Sequence, residues 1–249
     1  MKITIIGCGW LGYPLAQKLK EVGHLVYGSS THLEKLAVLM DAEIIPFIFN
    51  GSEHQSIPDE ARTSHLLILN FPPGKTSNYP EQVKNILDQV NPSTKVIFTS
   101  STGVYEEVEG EVTEESPIKA DHPVALAERV IQESGKNFCI LRLAGLIGGE
   151  RHPVKYLSGR SVQDGNMAVN LIQRDDVISG ILKVIEKDEW NTVYNLVNPK
   201  HPSKADYYSE MARKMGLVEP IFEPSVKMGK SVSGKKISDE LGFNYNHLI

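Results

Sequence analysis

The sequence predicts an α/β fold: a doubly wound parallel sheet with helices on both faces and a small C-terminal lobe. Three observations predict it. A short apolar run, Lys2–Ile6 (KITII), passes directly into Gly7-Cys8-Gly9-Trp10-Leu11-Gly12. Apolar residues then recur at helical spacing, at Leu11, Leu15, Leu19 and Val22. Apolar runs and helical patterns keep alternating through the first half of the chain, as a parallel sheet with right-handed crossovers requires.

The elements follow in order. Lys2–Ile6 is the first strand and His24–Gly28 (HLVYG) the second. His32–Met40 reads as a helix with Leu33, Leu36, Ala37 and Met40 on one face. Glu43–Phe49 is a third strand, apolar almost throughout, as expected of a strand covered on both faces. Ser64–Asn70 (SHLLILN) is a fourth, running out at Pro72-Pro73-Gly74. Tyr79–Val90 is a helix that turns Val83, Ile86, Leu87 and Val90 inward. Thr94–Thr99 is a fifth strand, Val124–Ser134 a helix and Asn137–Arg142 a sixth strand. Beyond about Gly145 the rhythm breaks. Asp175 or Asp176 reads as the cap of a helix running to about Glu186, Val193–Val197 as a further strand, and Ser203–Met215 as a helix. The expected organisation is one domain, 1–249, with a lobe built mainly from 146–175 and 199–249. That lobe is expected to close over the carboxyl edge of the sheet, where open α/β sheets bind ligands.

Composition excludes several classes. The net charge is −5, and the 26 Lys and Arg residues are scattered, so no basic patch for nucleic acid is expected. No run of eighteen apolar residues predicts a membrane span. The apolar run after Lys2 is too short for a secretory signal. The two cysteines, Cys8 and Cys139, make no disulfide framework and read as reduced small hydrophobes. A cytoplasmic protein is the expectation. The eight histidines show no metal-ligand spacing, so no metal is expected. The acidic run Glu106–Glu115 reads as a solvated loop or a lid.

A strand, then G-x-G-x-x-G, then a helix is the context of a dinucleotide-binding turn. Gly7 allows the tight turn, Gly9 lets a diphosphate approach the backbone, and Gly12 lets helix and strand pack closely. Trp10 and Leu11 lie within that turn, and the helix N-terminus adds N–H groups and partial positive charge. The second strand normally ends in an acid that holds the adenosine ribose of NAD. Here it runs into Ser29, Ser30, Thr31 and His32, with Lys35 close by and no acid before Glu34. That set favours NADP over NAD, although Ser30 or Thr31 could equally cap the following helix. Phe71, Pro72 and Pro73 form a rigid loop suited to covering a flat ring or ribose. Ser100, Ser101 and Thr102 end the fifth strand, where a nicotinamide would lie; a hydroxyl there can bond a substrate carbonyl or alcohol.

In order along the chain, GCGWLG, SSTGVY after the fifth strand, Leu141–Gly148 (LRLAGLIG), Gln173–Val177 (QRDDV) and Val193–Leu196 (VYNL) resemble the extended short-chain dehydrogenases/reductases of the NAD-dependent epimerase/dehydratase type. The glycine spacing, the PPG loop and the short C-terminal region are most similar to the atypical members. The resemblance covers nearly the whole chain and implies a Rossmann core, a substrate lobe, an oxidoreductase or epimerase activity on a small carbonyl, alcohol or sugar-like substrate, and a homodimer. It places Ser101 at the catalytic Ser/Thr position, four residues before Tyr105, and Leu143 beside the cofactor. It also exposes a departure. The family's Y-x-x-x-K falls on Ala120 and Val124 when Glu128 is aligned with the Glu that follows that motif, and no other Y-x-x-x-K occurs in the chain. Neither Ala nor Val can move a proton. His122 is the substitute candidate by intrinsic pKa; His152 and His201 are candidates for a substrate pocket. Two other readings stay open. One is a binding protein that senses NAD(P) without turnover. The other follows from GCGWLGYPLA, which is also similar to β-hydroxyacid dehydrogenases, whose second domain is all-helical.

Overall fold

The computed structural model describes residues 1–51, 55–74, 78–223 and 227–249. In chain order the elements are β1 (Lys2–Ile6), α1 (Gly12–Glu21), β2 (Leu25–Ser30), α2 (Glu34–Asp41), β3 (Ile45–Ile48), α3 (Asp59–Arg62), β4 (Leu66–Leu69), α4 (Tyr79–Gln89) and β5 (Lys95–Ser101). A single 3-10 turn (Thr102–Val104) leads to β6 (Gly110–Val112), α5 (Pro123–Gln132) and β7 (Phe138–Leu143). Then come β8 (Gly145–Ile147), α6 (Val154–Leu157), β9 (Ser161–Val162), β10 (Leu171–Gln173), α7 (Arg174–Lys187), β11 (Thr192–Leu196), α8 (Lys204–Lys214), β12 (Ile221–Phe222), β13 (Lys230–Val232) and α9 (Lys235–Leu241).

Seven strands form one sheet in the order β11-β7-β5-β4-β1-β2-β3. β1 pairs in parallel with β2 and β4, β2 with β3, and β4 with β5. This is the Rossmann-like α/β sheet. The strand order reverses between β1 and β4, so the crevice at their carboxyl ends is the natural ligand position. The central strands are apolar on both faces because helices cover both: Ile3, Ile5 and all of β4 are buried. α1 supplies Leu15, Ala16 and Leu19 to that core, and α4 supplies Tyr79, Val83, Ile86 and Leu87.

Three local expectations are corrected. β3 is an edge strand, covered far less than Glu43–Phe49 suggested: Ile45 is 41% exposed, and Pro46, which has no N–H to donate, is tolerated because one side of β3 pairs with nothing in the sheet. α2 begins at Glu34 and buries Leu39, leaving Leu33 and Met40 exposed, because a helix beside the sheet's edge has only a narrow apolar strip to meet. Ser30 caps no helix; its Oγ accepts from the His32 N–H and donates to the His32 carbonyl, closing a turn before α2.

The chain forms two compact units. The first comprises Met1–Val104, Lys119–Arg142 and Ile178–Val193; the second comprises Tyr105–Ile118, Leu143–Val177 and Tyr194–Ile249. The second unit holds three parallel two-stranded pairs, β8 with β10, β9 with β12 and β6 with β13. Those pairs rule out an all-helical second domain. The acidic run is not merely solvated, since Gly110–Val112 within it forms β6 and Glu114 accepts the Asn195 N–H at 2.7 Å. Tyr105, fully buried, donates its hydroxyl to Asn195 Oδ1 at 2.6 Å, and Asn195 Nδ2 donates to the Ser233 carbonyl.

Asp176 is no helix cap. α7 starts at Arg174, and the Asp176 carboxylate, wholly buried, accepts from the Asn246 and His247 N–H groups and from His247 Nδ1 at 2.7 Å. A buried carboxylate demands such partners, and here the C-terminal segment supplies them. Among the described residues no helix is long and apolar enough to cross a membrane, and no His/Cys/Asp/Glu group is placed to hold a metal. Replacing Asp176 with Ala is expected to free the segment after Tyr245, raising amide exchange at Asn246 and His247. It should lower stability by about 2–3 kcal/mol, measured by urea unfolding.

Candidate functional site

The site begins at the glycine turn. Gly7 adopts φ +103°, a backbone geometry that L side chains rarely take, and a Cβ there would lie 2.1 Å from the Asn70 carbonyl oxygen. A Cβ on Gly12 would lie 2.1 Å from the Gly7 oxygen and 2.8 Å from Asn70 Nδ2. A Cβ on Gly9 would meet nothing within 4 Å. The first and third glycines are therefore required by the protein's own packing, and the second faces open space. The turn is tied on both sides: Gly7 N–H donates to Ser29 Oγ, Cys8 N–H to the Ser29 carbonyl, and Asn70 Nδ2 to the Gly7 carbonyl, all at 2.9 Å. Trp10 is half-buried in the turn and Leu11 is buried. No side chain caps α1 and no acid stands in its first turn. Burial pushes the Cys8 thiol up to about 12, so it stays protonated.

A cavity of about 210 Å³ opens beside this turn, at the carboxyl ends of β1 to β4. Its lining includes Gly7, Gly9, Ser29–Thr31, Lys35, Phe49–Gly51 and Asn70–Pro72, with no Asp or Glu among the described residues. The two serines are already engaged, Ser29 on Gly7 and Ser30 on the His32 backbone. Thr31 and Lys35 are the exposed polar groups on this edge, while His32 Nδ1 lies 3.4 Å from Glu34. A second hollow continues past Lys35 and Gly9 to Tyr13 and Val38.

Across the crevice, Phe71 is half-buried, its ring edge-on to Tyr79, whose hydroxyl donates to the Phe71 carbonyl at 2.7 Å. Pro72 and Pro73 are exposed. Thr99 Oγ1 donates to Asn70 Oδ1, so the asparagine that locks the glycine turn is itself held by β5. Ser101 is half-buried and its Oγ accepts the Gly103 N–H at 3.1 Å, which leaves its own O–H to donate. Thr102 is buried in the 3-10 turn. Ser100 is turned the other way: its Oγ donates to Glu128 Oε1 at 2.5 Å, and Arg142 donates to both oxygens of that carboxylate.

Val124 sits buried on α5 one turn before Glu128, and Ala120 lies exposed ahead of the helix. His122 is the N-cap of α5, and its Nδ1 accepts the Val124 N–H at 3.2 Å. The nitrogen that would take up a proton is thus engaged while the cap is closed. Leu143 is buried at the end of β7. His152 lies two residues before α6, whose N-cap is Pro153; its Nδ1 accepts the Val154 N–H, its Nε2 pairs with the Tyr207 hydroxyl at 2.9 Å, and burial lowers its pKa. His201 Nδ1 lies 3.2 Å from the Val169 carbonyl.

No protein-family model matches the chain. It is 33% identical to protein YeeZ of Escherichia coli strain K12 over an alignment of 267 residues, which covers 99% of this chain and 96% of YeeZ. The chain belongs to the YeeZ family. Solved structures share the fold of this YeeZ-family chain. UDP-glucuronic acid 4-epimerase from Bacillus cereus, in complex with NAD, matches with a TM-score of 0.78 at 17% identity, over 100% of this chain and 94% of the other. A short-chain dehydrogenase/reductase superfamily protein from Agrobacterium tumefaciens with bound NAD matches at 0.78 and 15%, over 100% and 93%. The fold is that of the short-chain dehydrogenases/reductases.

Sequence reasoning on this YeeZ-family chain missed Asn70, Glu128 as a partner of Ser100, and Phe49–Gly51. Asn70 had a signal, since a polar residue ending an apolar strand beside a glycine turn needs a partner. Phe49–Gly51 had none, because only the placement of β3 beside β2 brings them to the cavity. Two substitutions separate packing from ligand space. Gly12→Ala should cost about 1–3 kcal/mol of stability, seen as a lower urea midpoint. Gly9→Asp should leave the unfolding free energy within about 0.5 kcal/mol of wild type.

Proposed function

We propose that this chain binds NAD(P) as an atypical short-chain dehydrogenase/reductase and acts as an oxidoreductase or epimerase on a small carbonyl, alcohol or sugar-like substrate. The observation that carries the reading is the open space at Gly9, set between two glycines that the protein locks in place for its own packing. A diphosphate fits there: it needs backbone without side chains, the uncapped N-terminus of a ten-residue helix and a lining with no carboxylate among the described residues. The cavity over β2 and β3 suits an adenosine half, which leaves the nicotinamide half over β4 and β5, near Phe71 and Ser100–Thr102.

The nicotinamide would supply hydride exchange. The chain would supply position and hydrogen bonds. Ser101, with its O–H unspent, donates to a substrate oxygen as charge develops there, and buried Thr102 fixes the turn that presents it. His122 can take a proton at Nδ1 only by releasing the α5 cap. Val124 and Ala120, where the family's Lys and Tyr fall, favour a second reading, a binding protein that reports the NAD(P) state without turnover. The absence of acid among the described residues lining the ribose edge, with Lys35 and Thr31 exposed there, favours NADP.

Titration with NADP and NAD tests the reading, and binding of neither sinks it. Gly9→Asp should abolish binding by placing bulk and charge against the diphosphate. Lys35→Gln should weaken NADP about tenfold and leave NAD within twofold, since about 1.4 kcal/mol is a factor of ten. Equal loss for both cofactors would remove the NADP preference. Turnover of any carbonyl or alcohol in a substrate screen, lost in Ser101→Ala, selects the enzyme; tight cofactor binding with no turnover selects the sensor.

A further inference from the structure

Ser100, Glu128 and Arg142 form a buried cluster beneath the end of β5. Their exposures are 5%, 1% and 4%. Ser100 Oγ donates to Glu128 Oε1 at 2.5 Å, Arg142 Nε donates to the same oxygen at 3.1 Å, and Arg142 Nη2 donates to Oε2 at 2.8 Å. Each member comes from a different element: β5, α5 and β7. Stability alone does not account for it. Desolvating an ion pair this deep costs several kcal/mol, and well-packed apolar residues in its place are often neutral or stabilising. What an apolar cluster lacks is direction. Successive residues of a strand face opposite sides. Ser100, pinned toward α5 by a charged acceptor, sets which way Ser101 and the turn from Thr102 must face. β5 lies two strands from β1 in the sheet, about 10 Å at ordinary strand spacing, on the carboxyl edge that also carries the glycine turn.

Resting on the NAD(P)-binding reading, we propose that Glu128 is a positioning residue: acting through Ser100, with Arg142 as its charge partner, it holds the Ser101–Thr102 edge in the geometry that receives the nicotinamide half of the cofactor. Ser100 on this account touches neither cofactor nor substrate through its side chain. Its hydroxyl is spent inward on Glu128.

The test compares NADPH with 2′-phospho-ADP-ribose, which lacks only the nicotinamide. Ser100→Ala removes the hydroxyl and leaves the ion pair. The double variant Glu128→Leu/Arg142→Met removes both partners of the ion pair together, so neither is left buried without the other. In the wild type NADPH should bind at least tenfold more tightly than 2′-phospho-ADP-ribose. In both variants that margin should shrink at least fivefold, with 2′-phospho-ADP-ribose affinity within twofold of wild type and the fluorescence of bound NADPH shifted toward that of the free cofactor. An unchanged margin overturns the proposal. So does a parallel loss of both affinities, which would mark a merely structural cluster. A wild type that binds 2′-phospho-ADP-ribose but draws nothing from the nicotinamide overturns it while sparing the adenosine half of the reading. A wild type that binds neither probe, nor NADH and ADP-ribose in their place, fails the cofactor reading and this inference with it.

Discussion

Two backbone carbonyls and one amide side chain leave no room for a methyl group at the head of the first helix, and most of the crevice depends on that crowding. Asn70 sits at the end of β4, with its backbone carbonyl against Gly7 and its Nδ2 bonded to the Gly7 carbonyl. Ser29 grips the same turn from β2 through both its hydroxyl and its carbonyl. Three neighbouring strands thereby agree on the position of one loop. The amino end of α1 is aimed by hydrogen bonds rather than by a capping side chain, so its partial positive charge stays available to an anion.

Polar groups around the crevice divide into those already spent and those left over, and this division carries more information than residue type. Ser29, Ser30 and Ser100 look alike in sequence to Thr31 and Ser101. Ser30 and Ser100 give their hydroxyl protons to partners within the protein, while Ser29 and Ser101 each accept a backbone N–H through Oγ. His122 caps α5 through Nδ1, and His152 Nδ1 accepts the first N–H of α6. A catalytic assignment for any of them has to begin from the bond that would be surrendered.

Buried charge is spent in the same economical way in the second unit. Asp176 binds the last residues of the chain and Glu114 holds the backbone of Asn195, which in turn takes the Tyr105 hydroxyl. These contacts join segments 70 or more residues apart in sequence, and each leaves a charged or polar group satisfied that would otherwise be costly to bury.

The alternation of apolar runs and helical patterns determined the α/β class, and the strand–glycine–helix order determined where the crevice would open. Both are local periodicities that survive in one dimension. Strand position within the sheet is not local, so Glu43–Phe49 read as a central strand although β3 lies at the edge with Ile45 exposed. Hydrogen-bond partners are equally invisible along the chain: the sequence determined that Ser100, Glu128 and Arg142 were present, and Asp176 looked like a cap. Only tertiary packing decided that the first three would meet in the core and that Asp176 would hold the C-terminal segment. The physical reason is that a buried charge is settled by whichever distant group reaches it, not by its neighbours in sequence.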